Sequence, residues 1–197
     1  MKETIDLILP LSAEFEGFRS KVYKCPAGFD TMGFGRNIEA NPLSIEEKVK
    51  LNPDGSVSEA VAREWLREYL EKCYKELDEA FVWFSKMDCV RKAALVDFDY
   101  NVGLGTLKSF KNTLRFFECG DYKQAAENMH KSKWFAQVKR RGVKICAMVE
   151  NGQIKVSCML DYGSLRLRLA MTPCYSVIAG RGNLFSPLVI VRNGRSK

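Results

Sequence analysis

An α+β fold follows from three observations, and it takes the form of a small sheet-bearing lobe and a larger all-helical lobe joined by one long helix. Residues 17–57 hold short strand-like runs broken by Gly- and Pro-containing turns. Residues 58–152 place apolar side chains at three- and four-residue steps, and the 24-residue run "SEAVAREWLREYLEKCYKELDEAF" keeps that step without a break. A chain of 197 residues is long enough for one substantial core or two small lobes sharing a helix, and too short for two large independent domains.

The elements follow in order. A first helix is expected from about Leu9 to Glu16, with Pro10 in its opening turn, where a missing N–H costs little, and Gly17 as its stop. "KVY" and "DTMGFG" predict strands joined by the Pro26–Gly28 turn, and "NPDG" at 52–55 marks another turn. Ser58 is a suitable N-cap for the long helix, whose Val61, Trp65, Leu66, Leu70, Cys73 and Leu77 form one apolar stripe. Asp88 opens a helix ending at Gly103, "LKSFKNTLRFFECG" stops at Gly120, and Asp121 caps "DYKQAAENMHK". "WFAQVKRRGVKICAMVENG" closes the series as one helix, although Gly142 inside it costs roughly 0.5–1 kcal/mol relative to Ala. After Gly152 the period changes to two. Ile154, Val156, Cys158 and Leu160, then Leu165, Leu167, Leu169 and Met171, flank "DYGS" as a hairpin, and "LVIV" at 188–191 adds a third run. The division is therefore 1–152 as the main domain and 153–197 as a strand-like extension.

Composition removes several function classes. No run approaches the roughly 18 apolar residues of a membrane span. The N-terminus has early acids and no small-residue cleavage site, so no signal peptide is expected. Seven cysteines, an odd number without a CxxC pair, predict reduced thiols in a cytoplasmic product. The single histidine, His130, argues against a zinc hydrolase, and no metal site is expected. Net charge is +7, and residues 153–197 hold seven Lys/Arg against one acid, Asp161. The basic excess belongs to that extension and suits anionic polymers in general.

The chemistry concentrates in "EGFRSKVYKCPAGFDTMGFG", residues 16–35. Glu16 falls at a helix C-terminus, where unpaired carbonyls disfavour an ionised carboxylate and help a general acid keep its proton. If "TMGFG" is a strand, Thr31, Gly33 and Gly35 share one face, flat and open to a ligand, and Met32 and Phe34 face the core.

Glu16, eight residues, Cys25, five residues, Thr31 resembles the catalytic pattern of the phage lysozymes (endolysins, glycoside hydrolase family 24). "NPDGSVSEAVAREWL", "RKAALVDFDYNVGLGTLKSF" and "GDYKQAAENMHKSKWFAQVKRRG" are similar to later segments of that family, so the resemblance covers about residues 5–152. It implies a lysozyme-like fold with a cleft between the lobes. It also implies a cofactor-free muramidase that cleaves the β-1,4 bond between N-acetylmuramic acid and N-acetylglucosamine in peptidoglycan, with inversion. Glu16 would be the general acid, and Cys25 and Thr31 would position the attacking water. Gly33, Gly35 and Asn101 would line the sugar site. Ser132, Trp134, Gln137 and Arg141 match positions whose role in the family is partly structural, with Gln137 and Arg141 carried as substrate-side residues.

The resemblance further implies a monomer that acts on the cell wall during host lysis. It would wait in the host cytoplasm until a separate holin opens the membrane; no nucleic-acid partner is expected, and the extension could touch anionic wall or lipid polymers. This chain departs from the pattern's Asp alternative at Cys25, a thiol that is mostly neutral at its ordinary pKa. Arg36 stands where many relatives carry a His paired with an acid of the long helix; a permanently charged Arg paired with Glu68 or a neighbour would not switch near neutral pH. Two rival readings remain at this level. One is a cysteine amidase or peptidase using Cys25 with His130, and the other is a peptidoglycan-binding lysozyme fold without catalysis.

Overall fold

The computed structural model describes residues 1–154, and the strand-like runs expected after residue 154 lie outside the described residues. The chain begins with helix α1 (Lys2–Glu16), followed by strands β1 (Arg19–Lys24), β2 (Asp30–Gly33) and β3 (Arg36–Asn37) and a short helix α2 (Ile45–Val49). The helical lobe comprises α3 (Glu59–Ala80), α4 (Cys89–Val102), α5 (Leu104–Ser109), α6 (Lys111–Glu118), α7 (Tyr122–His130), α8 (Lys133–Val138) and α9 (Arg140–Asn151), with a 3₁₀ turn at Phe84–Lys86. The fold class is the one expected: mostly helix, with one small antiparallel sheet ordered β1-β2-β3. Among the described residues no helix is long and apolar enough to cross a membrane.

Capping chemistry places the helix starts where the sequence puts them. Ser58 accepts from the Val61 N–H, Asp88 from those of Val90 and Arg91, and Asp121 from that of Gln124. Each such cap satisfies a donor that has no partner inside the helix, a contribution of about 1 kcal/mol. The predicted stripe of α3 is largely buried: Trp65, Leu66, Leu70, Cys73 and Leu77 point into the core, with Leu70 and Leu77 fully covered. Complete burial of each leucine is worth about 2 kcal/mol. Val61 is only partly buried, and Ala62 takes the inner position beside it. Helix α4 runs through the centre, where every residue from Ala93 to Asp99 is buried.

Four local expectations are corrected. The first helix starts at Lys2, not Leu9, and encloses Pro10. Its buried residues Thr4, Ile5, Ile8, Leu9, Ser12 and Ala13 recur at helical spacing, and Pro10 is exposed. Burying that stripe against α3 and α4 outweighs one lost backbone hydrogen bond on the solvent side. The stretch read as one closing helix breaks at Lys139 (φ 45°), so that α8 and α9 meet at an angle. Gly142 makes that corner possible, since a Cβ there would lie 2.8 Å from Phe135 Cδ2. "LKSFKNTLRFFECG" likewise divides at Phe110 into α5 and α6. Finally, β2 ends at Gly33, and positive φ at Gly33 and Gly35 turns the chain into β3. The pleat therefore does not continue from Thr31 through Gly35. Thr31 and Gly33 are both buried, and Gly33 packs against Ala62 of α3 instead of presenting an open face.

Candidate active site

A cleft of about 500 Å³ lies between the sheet-bearing lobe and the helices. Its wall is built from the end of α1 (Glu16), the β2–β3 turn (Phe34, Gly35, Arg36), the buried Trp65 and the exposed Glu68, Tyr69 and Lys72 of α3, and the end of α4 (Tyr100, Asn101). Its volume and its mixed aromatic and polar wall are those of a small-ligand site.

Glu16 is the last residue of α1, with Gly17 turning the chain away at φ 69°. Its carboxylate is held on one side only: Oε1 accepts a 2.7 Å hydrogen bond from Arg141 Nη1. The other oxygen, Oε2, faces Gly35, where a Cβ would come within 3.2 Å. Gly35 therefore leaves the reactive side of the carboxylate uncovered. Arg141 is 7% exposed, and its other two nitrogens donate to Asp97, with Nε to Oδ2 and Nη2 to Oδ1 both at 2.9 Å. Ser12 Oγ donates to Asp97 Oδ1 at 2.6 Å. Burial alone would lower the pKa of Arg141, but hydrogen bonding and charge from Asp97 and Glu16 more than offset this and hold it above its ordinary value. The guanidinium also lies over the rings of Phe15 and Tyr100, at 5.1 and 5.6 Å.

The hairpin is fastened to this floor. Tyr100 Oη donates to the Phe34 carbonyl at 3.4 Å, and its ring meets Tyr69 edge to face at 5.3 Å. Burial pushes the Tyr100 phenol well above its usual range, so it remains a neutral donor. Asn101 lines the cleft as expected, and its Oδ1 accepts from Trp134 Nε1 at 2.7 Å. Arg36 also lines the cleft, but the expected pairing with Glu68 or a neighbour on the long helix is replaced. Arg36 forms a two-pronged ion pair with Glu47 of α2 and lies over the Trp65 ring at 4.9 Å. The acid comes from a short helix that sequence reasoning did not anticipate, and the capping box at Ser44 and Glu47 starts it there.

The other sequence-picked residues lie outside the cleft lining. Cys25 sits on the β1–β2 turn, partly exposed, and its backbone pairs with Phe29 and Gly28. The Phe29 backbone lowers the Cys25 pKa most; burial, the next largest influence, raises it, and the Ala27 backbone, the Thr31 side chain and the Gly28 backbone add to the net lowering. Thr31 is 3% exposed and donates to the Phe29 carbonyl at 3.1 Å, which fixes its hydroxyl at the base of the same turn. Cys25 and Thr31 are thus brought together. Gln137 is exposed on α8, and Arg141 lies beneath the cleft as the support of Glu16. Ser132 caps α8, and Trp134 packs on Phe98 at 4.5 Å. His130 is exposed at the end of α7 against Phe135, at 4.1 Å, whereas the groups acting on the Cys25 thiol all belong to its own turn.

A family model described as phage lysozyme matches residues 13–150. The chain belongs to the phage lysozyme family. Among its relatives, a probable T4-type lysozyme 1 from Dictyostelium discoideum is 26% identical over 155 residues, 71% of this chain and 91% of that protein. An endolysin of Bacillus phage B103 is 30% identical over 126 residues, 61% of this chain but 42% of that protein. The pre-baseplate central spike protein Gp5 of Enterobacteria phage T4 is 21% identical over 154 residues, 71% of this chain and 27% of its own length. The chain thus spans nearly all of the first of these three and under half of the other two, in keeping with a family domain that occurs alone and within larger proteins.

For a phage lysozyme, the largest element that sequence reasoning missed is the Ser12–Asp97–Arg141 support beneath Glu16. A signal was present in "ALVDFDY", where two acids two residues apart interrupt an apolar helical run. Acids two apart point about 200° from one another on a helix, so both reach solvent only if the helix is widely exposed. In a central helix at least one must be buried, and a buried carboxylate requires a partner.

Proposed function

We propose that this phage lysozyme is a muramidase that hydrolyses the β-1,4 bond between N-acetylmuramic acid and N-acetylglucosamine in peptidoglycan, with inversion and in the service of host cell lysis. The observation that carries the reading is Glu16 itself, with one oxygen anchored by Arg141 and the other free beside Gly35 in an open cleft. A free carboxyl oxygen in a cleft is what a general acid needs to reach a glycosidic oxygen. In this mechanism Glu16 gives its proton to the leaving oxygen as the bond to the anomeric carbon breaks. Water positioned by Cys25 and Thr31 attacks from the opposite face and loses its proton to the Cys25 sulfur. The lowered Cys25 pKa supports that role, because it enlarges the thiolate fraction available to act where the family pattern otherwise has Asp. Gly33 supports the turn that presents Gly35, Asn101 offers its amide to the polymer, and Gln137 supplies a peripheral contact.

Peptidoglycan is the proposed partner, met from the host cytoplasm once a separate pore-forming holin has opened the membrane. The basic residues 153–197 are proposed to add only weak attraction to anionic wall polymers, and the acting unit is proposed to be a monomer. Glu16→Gln keeps shape and removes the donor proton. Assayed by release of new reducing ends from purified peptidoglycan, it is expected to lose activity by at least 10²-fold, and retention of the wild-type rate would remove the assignment. Release of free amines instead of reducing ends would point to the amidase reading.

A further inference from the structure

We infer that Asp97 is a positioning residue that sets the pH range of catalysis by absorbing the charge of Arg141 beneath Glu16. The inference rests on the muramidase reading for its activity readout and on geometry for its logic.

A general acid must hold its proton until the glycosidic oxygen needs it, yet the group anchoring Glu16 is a permanently charged guanidinium at 2.7 Å. Left alone, such a neighbour favours loss of that proton. In this protein Arg141 is not left alone. Asp97, fully buried, takes two of its three hydrogen-bonding nitrogens in a fork at 2.9 and 2.9 Å, leaving only Nη1 for Glu16. The fork fixes the guanidinium plane and so the direction of the single bond to Glu16. Its negative charge offsets the cation in a setting where water cannot screen either one. Ser12 completes the chain. Its hydroxyl donates to Asp97 Oδ1 at 2.6 Å, holding that carboxylate and drawing off part of its charge.

Other groups around Glu16 do not supply this compensation. From α4, Tyr100 is a neutral phenol over the same guanidinium. On the cleft wall Arg36 is neutralised by Glu47, while Glu68 and Lys72 of α3 carry opposite charges. Glu14 of α1 is engaged by Arg140 and Lys144 of α9 on the surface.

The test is the pH–rate profile for release of reducing ends, measured on purified peptidoglycan with wild type, Asp97→Asn and Ser12→Ala, and with thermal unfolding of each. Asp97→Asn keeps the size of the side chain and one acceptor of the fork, turns the other prong into an amide donor, and removes the charge. Its alkaline limb, where the general acid loses its proton, is expected to move to lower pH by on the order of one unit. Ser12→Ala leaves both charges in place and frees Asp97 from its donor, so its limb is expected to move the other way by a few tenths of a unit. Opposite displacements are not produced by a loss of stability common to both variants. A folded Asp97→Asn enzyme with an unmoved alkaline limb would overturn the inference. If Asp97→Asn does not fold, Ser12→Ala decides alone, and an unmoved or acid-shifted limb overturns it. Wild type without glycosidase activity, or an active Glu16→Gln, would instead overturn the muramidase reading, so the two failures are separable.

Discussion

Replacing Asp99 by Asn should make this protein more stable at neutral pH. Asp99 lies two residues beyond Asp97 on α4, 1% exposed, and neither of its carboxylate oxygens has a hydrogen-bond partner. Burial is the main reason its pKa is raised from 3.8 to about 6; the Cys73 thiol beside it pulls weakly downward and Glu76 adds to the rise. In return the thiol is pushed far above its ordinary range by burial and by Asp99. Because the folded state holds this proton more tightly than the unfolded state, the favourable contribution is fully present below pH 3.8 and is lost as pH rises through about 6. Two units at 1.36 kcal/mol each would amount to ~3 kcal/mol. The effective dielectric around a buried group exceeds that of a dry interior, which leaves about 1–2 kcal/mol as the cost at pH 7.5. Urea unfolding of wild type and Asp99→Asn at pH 4 and pH 7.5 separates the charge from the shape. The variant should gain about 1–2 kcal/mol at pH 7.5 and little or nothing at pH 4. An equal effect at both pH values, or a loss at pH 7.5, would show that the ionised carboxylate is stabilised by something other than the groups around it.

Two further outcomes follow from the same geometry. Gly142→Ala drives a methyl group to within 2.8 Å of the Phe135 ring at the α8–α9 corner, so it should cost about 1–3 kcal/mol in chemical denaturation, although Ala is ordinarily the better helix former; a stabilised variant would refute the corner argument. Cys25, with its pKa lowered chiefly by the Phe29 backbone, should be alkylated by iodoacetamide near neutral pH faster than exposed Cys119, and labelling should abolish turnover. Full turnover after complete labelling of Cys25 would exclude its sulfur from the water site.

The sequence carried the fold where a single local signal decided an element. Ser58, Asp88 and Asp121 announce helix starts that the structure keeps, and the stripe from Trp65 to Leu77 defines the long helix. It misled where a local signal competed with distant packing. Pro10 argued for a late start, yet Ile5 and Ile8, both fully buried, extend α1 by two turns. The apolar and basic run after Trp134 looked continuous, and the break at Lys139 becomes intelligible only with Gly142 pressed against Phe135. The site divided in the same manner. Glu16, Gly35 and Asn101, expected at the sugar site through the family resemblance, do line the cleft, and the Thr31 hydroxyl at the start of β2 lies by the turn that carries Cys25. The partners of Glu16 could not be paired from spacing, because Asp97 and Arg141 stand 81 and 125 positions away.

A helix end offers a carboxylate an unfavourable potential through carbonyls that lie on one side of it. That field alone does not orient the side chain, and an acid that must reach a glycosidic oxygen needs a fixed direction. Arg141 provides the direction at the cost of a positive charge, and Asp97 removes that cost at the price of a second buried anion. Asp99, on the same helix and without such a cation, carries the desolvation penalty with only a small offset from the Cys73 thiol. The two acids of "DFD" therefore form an internal control: the same residue type, two positions apart in one buried helix, differing in whether a guanidinium is present. If the compensation argued for Asp97 is correct, neutralising Asp97 should destabilise the fold at pH 7.5 while neutralising Asp99 stabilises it. Effects of the same sign would show that burial alone, and not the fork to Arg141, governs both.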